Sequence, residues 1–313
     1  MSTQQAIAEA RYPFSDRYLQ IAGHRIYCVE LGAGDPVLFL HGNPTSSYVW
    51  RQVMPQVAAF TGRRCIAIDL LGLGNSDKPE RLRYSLGLHR DIIAGAVEEL
   101  GLSDIVLVAE DWGGPLGMHH LVHEPHLYRA AILMETFLWS FTFADDFHPK
   151  FRIPFRLMRG PGGFFMVQVL NLMVKKLIPE HCPITDEGMR YYLDRTPTVR
   201  SRRAMLEFVR LNPLHGRPKE SVRFIEEIRE RLPALTLPIT WLMPSPGVIV
   251  SEDYPPSQAK FERFKSLLGD LEVKPFGPGH HFLAEENPQR VAGLVCETIR
   301  EKGLAASARM ARV

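Results

Sequence analysis

No charge of one sign dominates this 313-residue chain: Lys and Arg number 37, Asp and Glu 35, and the formal net charge is +2. So even a balance supplies no broad basic field, so neither nucleic acid nor a membrane surface is expected as a partner. Cysteine is scarce, and Cys28, Cys65, Cys182 and Cys296 stand singly, without a CxxC pair to clasp zinc or form a redox dithiol. They read as four thiols in a reducing compartment, the cytoplasm. Long hydrophobic runs are missing too. The longest candidate, Phe164 to Val174, is interrupted by Gln168 and Asn171 and falls short of the roughly 18 apolar residues a membrane span needs. From Met1 through Arg11 and Arg17 there is no apolar block of the kind a secretory signal carries. Internal repeats and low-complexity stretches are also lacking, and Gly303 to Val313 reads as a frayed tail.

What remains is ordinary globular material, 45% hydrophobic and 23% charged. Its length suits two units or one enlarged domain at roughly 150 residues per domain. β-rich runs lie at Arg25 to Glu30, Val37 to Leu40, Cys65 to Ile68, Ile105 to Ala109, Ala130 to Met134, Ile239 to Met243 and Leu271 to Phe276. Several are continuously apolar, as strands buried on both faces of a parallel sheet must be. Helical patterns at Leu88 to Leu100, Pro115 to His123, Ser257 to Leu268 and Pro288 to Glu301 alternate with them, which predicts an α/β fold with helices on both sheet faces.

The alternation stops between Phe137 and Leu235. There the chain offers Pro- and Gly-punctuated helical pieces: Phe164 to Leu177 after Gly160-Pro161-Gly162-Gly163, Asp186 to Leu193 after Thr185, and Pro197 to Val209. This predicts a core of residues 1–136 and 236–313 split by a helical cap, residues 137–235. An insertion after a strand overhangs the carboxyl edge of the sheet, where ligands bind.

The chemistry collects at that edge. Strand Ile105 to Ala109 runs through Glu110-Asp111-Trp112-Gly113-Gly114 into a helix, the layout of a nucleophile elbow with Asp111 at its tip. An Asp there serves as a carboxylate nucleophile that forms an ester, although Asp is also a favoured helix N-cap. His41-Gly42-Asn43-Pro44 follows the strand Val37 to Leu40 and brings backbone NH groups toward the elbow, where the Trp112 NH completes an oxyanion hole; as a bare tetrapeptide it is equally a turn. Gly277-Pro278-Gly279-His280-His281 follows the last strand, where this architecture keeps its general base. For the acid that orients the base, Glu135 at the end of an apolar strand is favoured. The loop after Met243 reads Pro244-Ser245-Pro246-Gly247-Val248 and holds no acid before Glu252 and Asp253.

Taken together these residues resemble the haloalkane dehalogenases of the α/β-hydrolase superfamily. The resemblance runs through Val37-Leu38-Phe39-Leu40-His41-Gly42-Asn43-Pro44-Thr45-Ser46-Ser47-Tyr48-Val49-Trp50 and Asp69-Leu70-Leu71-Gly72-Leu73-Gly74-Asn75-Ser76-Asp77-Lys78-Pro79. It continues in Asp111-Trp112-Gly113, Met134-Glu135 and His281-Phe282-Leu283-Ala284-Glu285-Glu286-Asn287-Pro288. It implies an α/β-hydrolase fold, Asp111 as nucleophile, His281 as base because an aromatic residue follows it, and Asn43 and Trp112 as halide donors. Glu135 stands where one branch of the family keeps its acid; other branches use an Asp where this chain has Gly247. A small apolar halogenated substrate, water and a halide ion are implied, with no cofactor and no metal, in a monomer or a homo-oligomer.

The resemblance leaves rivals. Epoxide hydrolases are similar at the elbow but usually carry Phe in place of Asn43 and two cap tyrosines; here Tyr191 and Tyr192 are adjacent, about 100° apart on a helix, and Val209 stands where a second tyrosine is expected. Coelenterazine-type luciferases share all five residues. A non-enzymatic hydrolase-like binding protein would carry a degraded site, and none of the five is degraded. Two departures stand out: Glu110, where the family more often has His or Gln, and the cap segment Phe208-Val209-Arg210-Leu211-Asn212-Pro213. A second carboxylate beside the nucleophile raises carboxylate pKa values.

Other patterns carry less. Gly72-x-Gly74 lacks the third glycine of a dinucleotide fingerprint, Asp77 standing there, and reads as a turn. His119, His120, His123 and His126 have one metal-compatible i, i+4 pair but no HExxH, and read as an exposed His-rich face. Arg200, Arg202, Arg203 and Arg210 read as a solvated basic cap face. Cap aromatics such as Phe137, Trp139, Phe141, Phe151, Phe164 and Phe165 divide between packing and an apolar cleft.

Overall fold

The computed structural model describes residues 14–269 and 271–304. The stretch from Met1 to Arg11 and nearly all of the Gly303 to Val313 tail lie outside them.

Eight strands form one sheet: β1 (Ser15–Ile21), β2 (His24–Leu31), β3 (Pro36–Leu40), β4 (Arg64–Ile68), β5 (Ile105–Asp111), β6 (Tyr128–Thr136), β7 (Ile239–Pro246) and β8 (Leu271–Gly279). Their spatial order is β1-β2-β4-β3-β5-β6-β7-β8. β1 pairs antiparallel with β2, and β2 with β4; every pair from β4 to β8 is parallel. The sequence reading finds seven of these strands and misses β1, most of whose residues are exposed, so no apolar run betrays it.

Side chains alternate across the strands and feed two cores. Val37, Phe39, Val106, Val108, Ile132 and Met134 face helices α1 (Met54–Thr61) and a C-terminal helix, Pro288–Glu301. Leu38, Leu40, Leu107, Ala109, Ala131 and Leu133 face α2 (Leu86–Glu99), α3 (Gly113–His123) and the helix Pro255–Lys265. Each fully buried large side chain contributes about 1.5–3 kcal/mol, so both sheet faces are firmly covered. Local chemistry sets the helix starts: the Ser85 hydroxyl accepts from Leu88 N at 3.2 Å, and Asn287 from Arg290 N at 3.0 Å.

Between β6 and β7 the chain is helical: α4 (Pro149–Arg159), α5 (Asp186–Asp194), α6 (Arg203–Leu211) and α7 (Lys219–Arg231). After β7 come α8 (Pro255–Lys265) and α9 (Pro288–Glu301). The expected single helix from Phe164 to Leu177 is two wide π-type segments, Phe164–Val169 and Met173–Leu177. Asn171 breaks it by taking φ +55°, and its buried amide donates to Thr196 Oγ1 at 3.1 Å. The basic face is solvated, Arg200 keeping 75% of its side chain exposed and Arg210 40%, yet each of its arginines is also engaged. Arg200 pairs with Glu80 at 2.9 Å, Arg203 donates to the Glu80 carbonyl, Arg202 donates to the Gln168 carbonyl at 2.6 Å, and Arg210 pairs with Glu207 at 3.1 Å. The first two tie the helical segment to the loop after β4.

Candidate active site

Asp111 ends β5 at φ +45°, in the left-handed region that costs a non-glycine residue about 1–3 kcal/mol. Glycines make the turn possible by close approach rather than by flexibility. A Cβ on Gly42 would lie 2.3 Å from Asp111 Cβ, and one on Gly113 2.3 Å from the Leu40 carbonyl oxygen. The loop after β3 therefore presses against the elbow. Asn43 N donates to Asp111 Oδ1 at 2.8 Å, and Thr136 Oγ1 donates to the Asp111 carbonyl at 2.6 Å.

His281 lies between two carboxylates. Its Nδ1 is 3.1 Å from Glu135 Oε2, and its Nε2 is 3.7 Å from Asp111 Oδ2, beyond hydrogen-bond length. Burial alone would lower the imidazole pKa, but the Glu135 hydrogen bond and the Asp111 and Glu135 charges raise it to about 9. For Asp111, burial pushes the carboxyl above its usual range, opposed by the His281 charge and the Asn43 and Trp112 backbone NH groups.

Glu135 reaches His281 through a β-bulge. Glu110 pairs with Met134 and Asp111 with Thr136, leaving Glu135 as the extra residue of β6, at φ +40°. Among the described residues no acid of the loop after β7 pairs with His281; the loop instead donates Val248 N and Ile249 N to the Glu135 carboxylate at 3.1–3.2 Å. Sequence reasoning did not find this cradle, nor the role of Glu286, which accepts from His280 N at 2.8 Å and His281 N at 2.9 Å and so holds the base loop. His280 itself is exposed and lies on Glu286. The only sequence trace of the clamp is an acid five residues after His281.

The helical segment closes the site from above. Asn43 Nδ2 donates one hydrogen to the Met205 carbonyl of α6 at 3.1 Å, leaving its second. The Trp112 ring packs edge-on against Phe137 at 5.0 Å and at a tilt against Phe208 of α6 at 5.6 Å. Phe151, Phe164 and Phe165, by contrast, are exposed. The tyrosine hydroxyls are engaged elsewhere: Tyr192 donates to Glu285 Oε1 at 2.7 Å, and Tyr191 accepts from Asn75 Nδ2 at 3.1 Å. Glu285 also takes a bidentate bond from Arg51.

Glu110 is 3% exposed, and its Oε2 has no hydrogen-bond partner among the described residues. Desolvation raises its pKa to about 8, with the Asp111, Glu285 and Glu286 charges adding and the His281 charge opposing. The Gly72-x-Gly74 turn wraps Asp69, which accepts from Ser47 N at 2.7 Å and Asn75 N at 2.6 Å. The four histidines do not form one exposed face: His119 and His120 are buried, at 2% and 7% exposure, because α3 is covered along almost its whole length.

Comparison with known proteins joins this geometry to a family. A model of the α/β hydrolase fold matches residues 35–161. A haloalkane dehalogenase of Mesorhizobium japonicum is 34% identical over 88% of this chain and 88% of its own length. The chain belongs to the haloalkane dehalogenase family. A second haloalkane dehalogenase, from Agrobacterium fabrum, is 32% identical over 87% of this chain and 88% of its own length. Among solved haloalkane dehalogenases, DbeA of Bradyrhizobium elkani superposes with a TM-score of 0.86 at 32% identity, covering 94% of this chain and 100% of that one. DatA of Agrobacterium tumefaciens C58 superposes with a TM-score of 0.85 at 30% identity, covering 92% of this chain and 97% of that one. In this haloalkane dehalogenase family member the sheet and its helices follow the expected α/β-hydrolase fold, and no helix of the described residues is long and apolar enough to cross a membrane.

Proposed function

We propose that the protein hydrolyses haloalkanes to an alcohol, a halide ion and a proton through an alkyl ester on Asp111. The observation that carries this reading is His281 held by Glu135 through Nδ1 at 3.1 Å with Nε2 turned to Asp111 at 3.7 Å. Asp111 Oδ1 is bound by the Asn43 backbone NH, so Oδ2 attacks the carbon bearing the halogen while Oδ1 becomes the ester carbonyl oxygen. The carbon–halogen bond breaks with its electron pair on the halide. The Trp112 indole NH and the free hydrogen of the Asn43 amide then stabilise that charge in a site with little water to screen it.

Ester formation removes the Asp111 charge that helps hold the His281 proton, which passes to solvent as the proton the reaction releases. The neutral imidazole then takes a proton from water, which attacks the ester carbonyl; the oxyanion is met by the backbone NH groups of Asn43 and Trp112, and collapse releases the alcohol. Glu135 keeps the imidazole oriented and balances its charge. Residues 137–235 act as the cap, with α6 shaping access to Asn43 and Trp112. The four unpaired cysteines support action in the reducing cytoplasm.

The test is halide and proton release from 1,2-dibromoethane, 1-bromobutane and 1-iodohexane, with styrene oxide as the rival substrate. Asp111→Ala is expected to abolish release, and His281→Phe to accumulate a protein heavier by the alkyl group. Diol formation from styrene oxide with no halide release would move the protein to the epoxide hydrolases, a reading that the engaged hydroxyls of Tyr191 and Tyr192 disfavour.

A further inference from the structure

On the face of α3 away from the elbow, His119 and His123 sit one turn apart, and α7 brings Glu227 against them. One donor atom from each lies within 4.8 Å of the other two, the one such trio among the described residues. His119 Nε2 is 3.1 Å from Glu227 Oε2. The His119 ring is fixed on both sides, stacked on His123 at 4.3 Å and on Phe224 of α7 at 4.0 Å between ring centroids.

Each group is prepared as a ligand. His123 Nδ1 donates to the His119 carbonyl at 2.7 Å, which leaves the lone pair on Nε2, the arrangement in which a backbone carbonyl orients a metal-binding imidazole. His119 is 2% exposed, and its Nδ1 has no partner among the described residues. Glu227 Oε1 is anchored by Arg223 Nε at 2.9 Å, which turns Oε2 to His119 Nε2, the contact an ion would replace by bridging the two atoms. Nitrogen and oxygen ligands at about 2.0–2.1 Å around a tetrahedral ion are roughly 3.3 Å apart, close to the spacing His119 and Glu227 already have. His123, the exposed member, completes the set. α3 ends at His123, so its free carbonyls add negative potential. Arg90, Arg223 and Arg231 lie near the trio, Arg231 donating to the Glu227 carbonyl at 3.2 Å; the Arg90 and Arg223 side chains are 47% and 82% exposed, and solvent screens them.

We infer that His119, His123 and Glu227 form a site for one divalent transition ion of the zinc type, with water in the fourth position, clipping α3 to α7 at a distance from the dehalogenation centre. Two imidazoles and one carboxylate suit Zn²⁺, Co²⁺ or Ni²⁺ and not the all-oxygen shells of Mg²⁺ or Ca²⁺. An ion bound only by the folded chain raises thermal stability in proportion to its occupancy.

The experiment uses untagged, metal-stripped full-length protein titrated with Co²⁺, followed by visible absorption, and with Zn²⁺, followed by calorimetry. One equivalent of Co²⁺ is expected to give tetrahedral bands that Zn²⁺ removes, Zn²⁺ to raise Tm, and Mg²⁺ to do neither. His123→Ala and Glu227→Gln alter side chains at the solvent edge; each is expected to leave metal-free halide release unchanged and to weaken Zn²⁺ binding by about 10-fold or more. Absence of saturable binding by the parent protein up to about 1 mM overturns the site. Equal binding by the parent and both variants overturns it too, since the ion then rests on other histidines.

Discussion

Gly247 leaves the space that Glu135 fills: a Cβ there would lie 3.2 Å from Glu135 Oε1 and 2.5 Å from the Val250 carbonyl, at φ +68°. The loop therefore contributes NH groups to an acid on β6 and cannot present an acid of its own without moving. Glu135→Gln is expected to lower steady-state halide release by about 10²- to 10⁴-fold while the first turnover still forms ester, seen as a halide burst. Adding Gly247→Asp to Glu135→Ala is expected not to rescue turnover, because the Val250 carbonyl blocks the new side chain. Recovery of turnover in the double variant would show that this loop is freer than its packing indicates.

The pKa of His281 is expected to follow the charge on Asp111. Raised to about 9 in the free protein, above its ordinary 6.5, it keeps the imidazole protonated at neutral pH. By linkage it contributes stability that is complete below about 6.5 and lost as pH rises through about 9. Asp111→Asn removes one of the charges that raises it, so an NMR titration of the His281 ring should move to lower pH in that variant. An unchanged titration would mean that Glu135 alone sets it.

Glu110 carries a stability cost with a definite sign. Its folded pKa of about 8 exceeds the ordinary 4.5, so the unfolded chain ionises first and stability falls as pH rises across that window. Glu110→Gln removes the effect. Its stability relative to the parent should improve from pH 5 to pH 8 by at most about 1.4 kcal/mol per pH unit, read from urea midpoints. A difference that does not vary with pH would show that Glu110 is already ionised in the fold.

Trp112→Phe keeps the ring that packs on Phe137 and Phe208 but deletes the indole NH. Halide release is expected to fall by about 10²- to 10³-fold with little change in Tm. Asn43→Ala should combine a loss of that order with a fall in stability, since Asn43 also ties β3's loop to Met205. Equal losses of Tm in both variants would recast Trp112 as packing alone.

Much of this was legible in the chain itself. Val37 to Leu40 and Ile105 to Ala109 announce buried parallel strands by unbroken apolar runs, and Pro288 with Asn287 marks the start of α9 at the residue where it begins. Asp111 ends β5, Glu135 lies at the end of β6 and His281 follows β8, and strand order carries all three to one edge of the sheet. Other elements were not legible: β1 is largely exposed, and α4 and α7, though amphipathic, lie in a segment without the strand alternation that organises the rest.

The sequence by itself determined the alternation, the elbow and the identity of the reacting groups, because those depend on side-chain period, on glycine where a Cβ would collide, and on residue chemistry near each strand end. Only the tertiary structure decided that Glu135 is a bulged residue cradled by Val248 and Ile249, that Glu286 holds the His281 loop, that Glu110 is buried without a partner for Oε2, and that Glu227 meets His119. Each of these joins residues distant in the chain or depends on register, and a one-residue change of register redirects a side chain to the opposite face of the sheet.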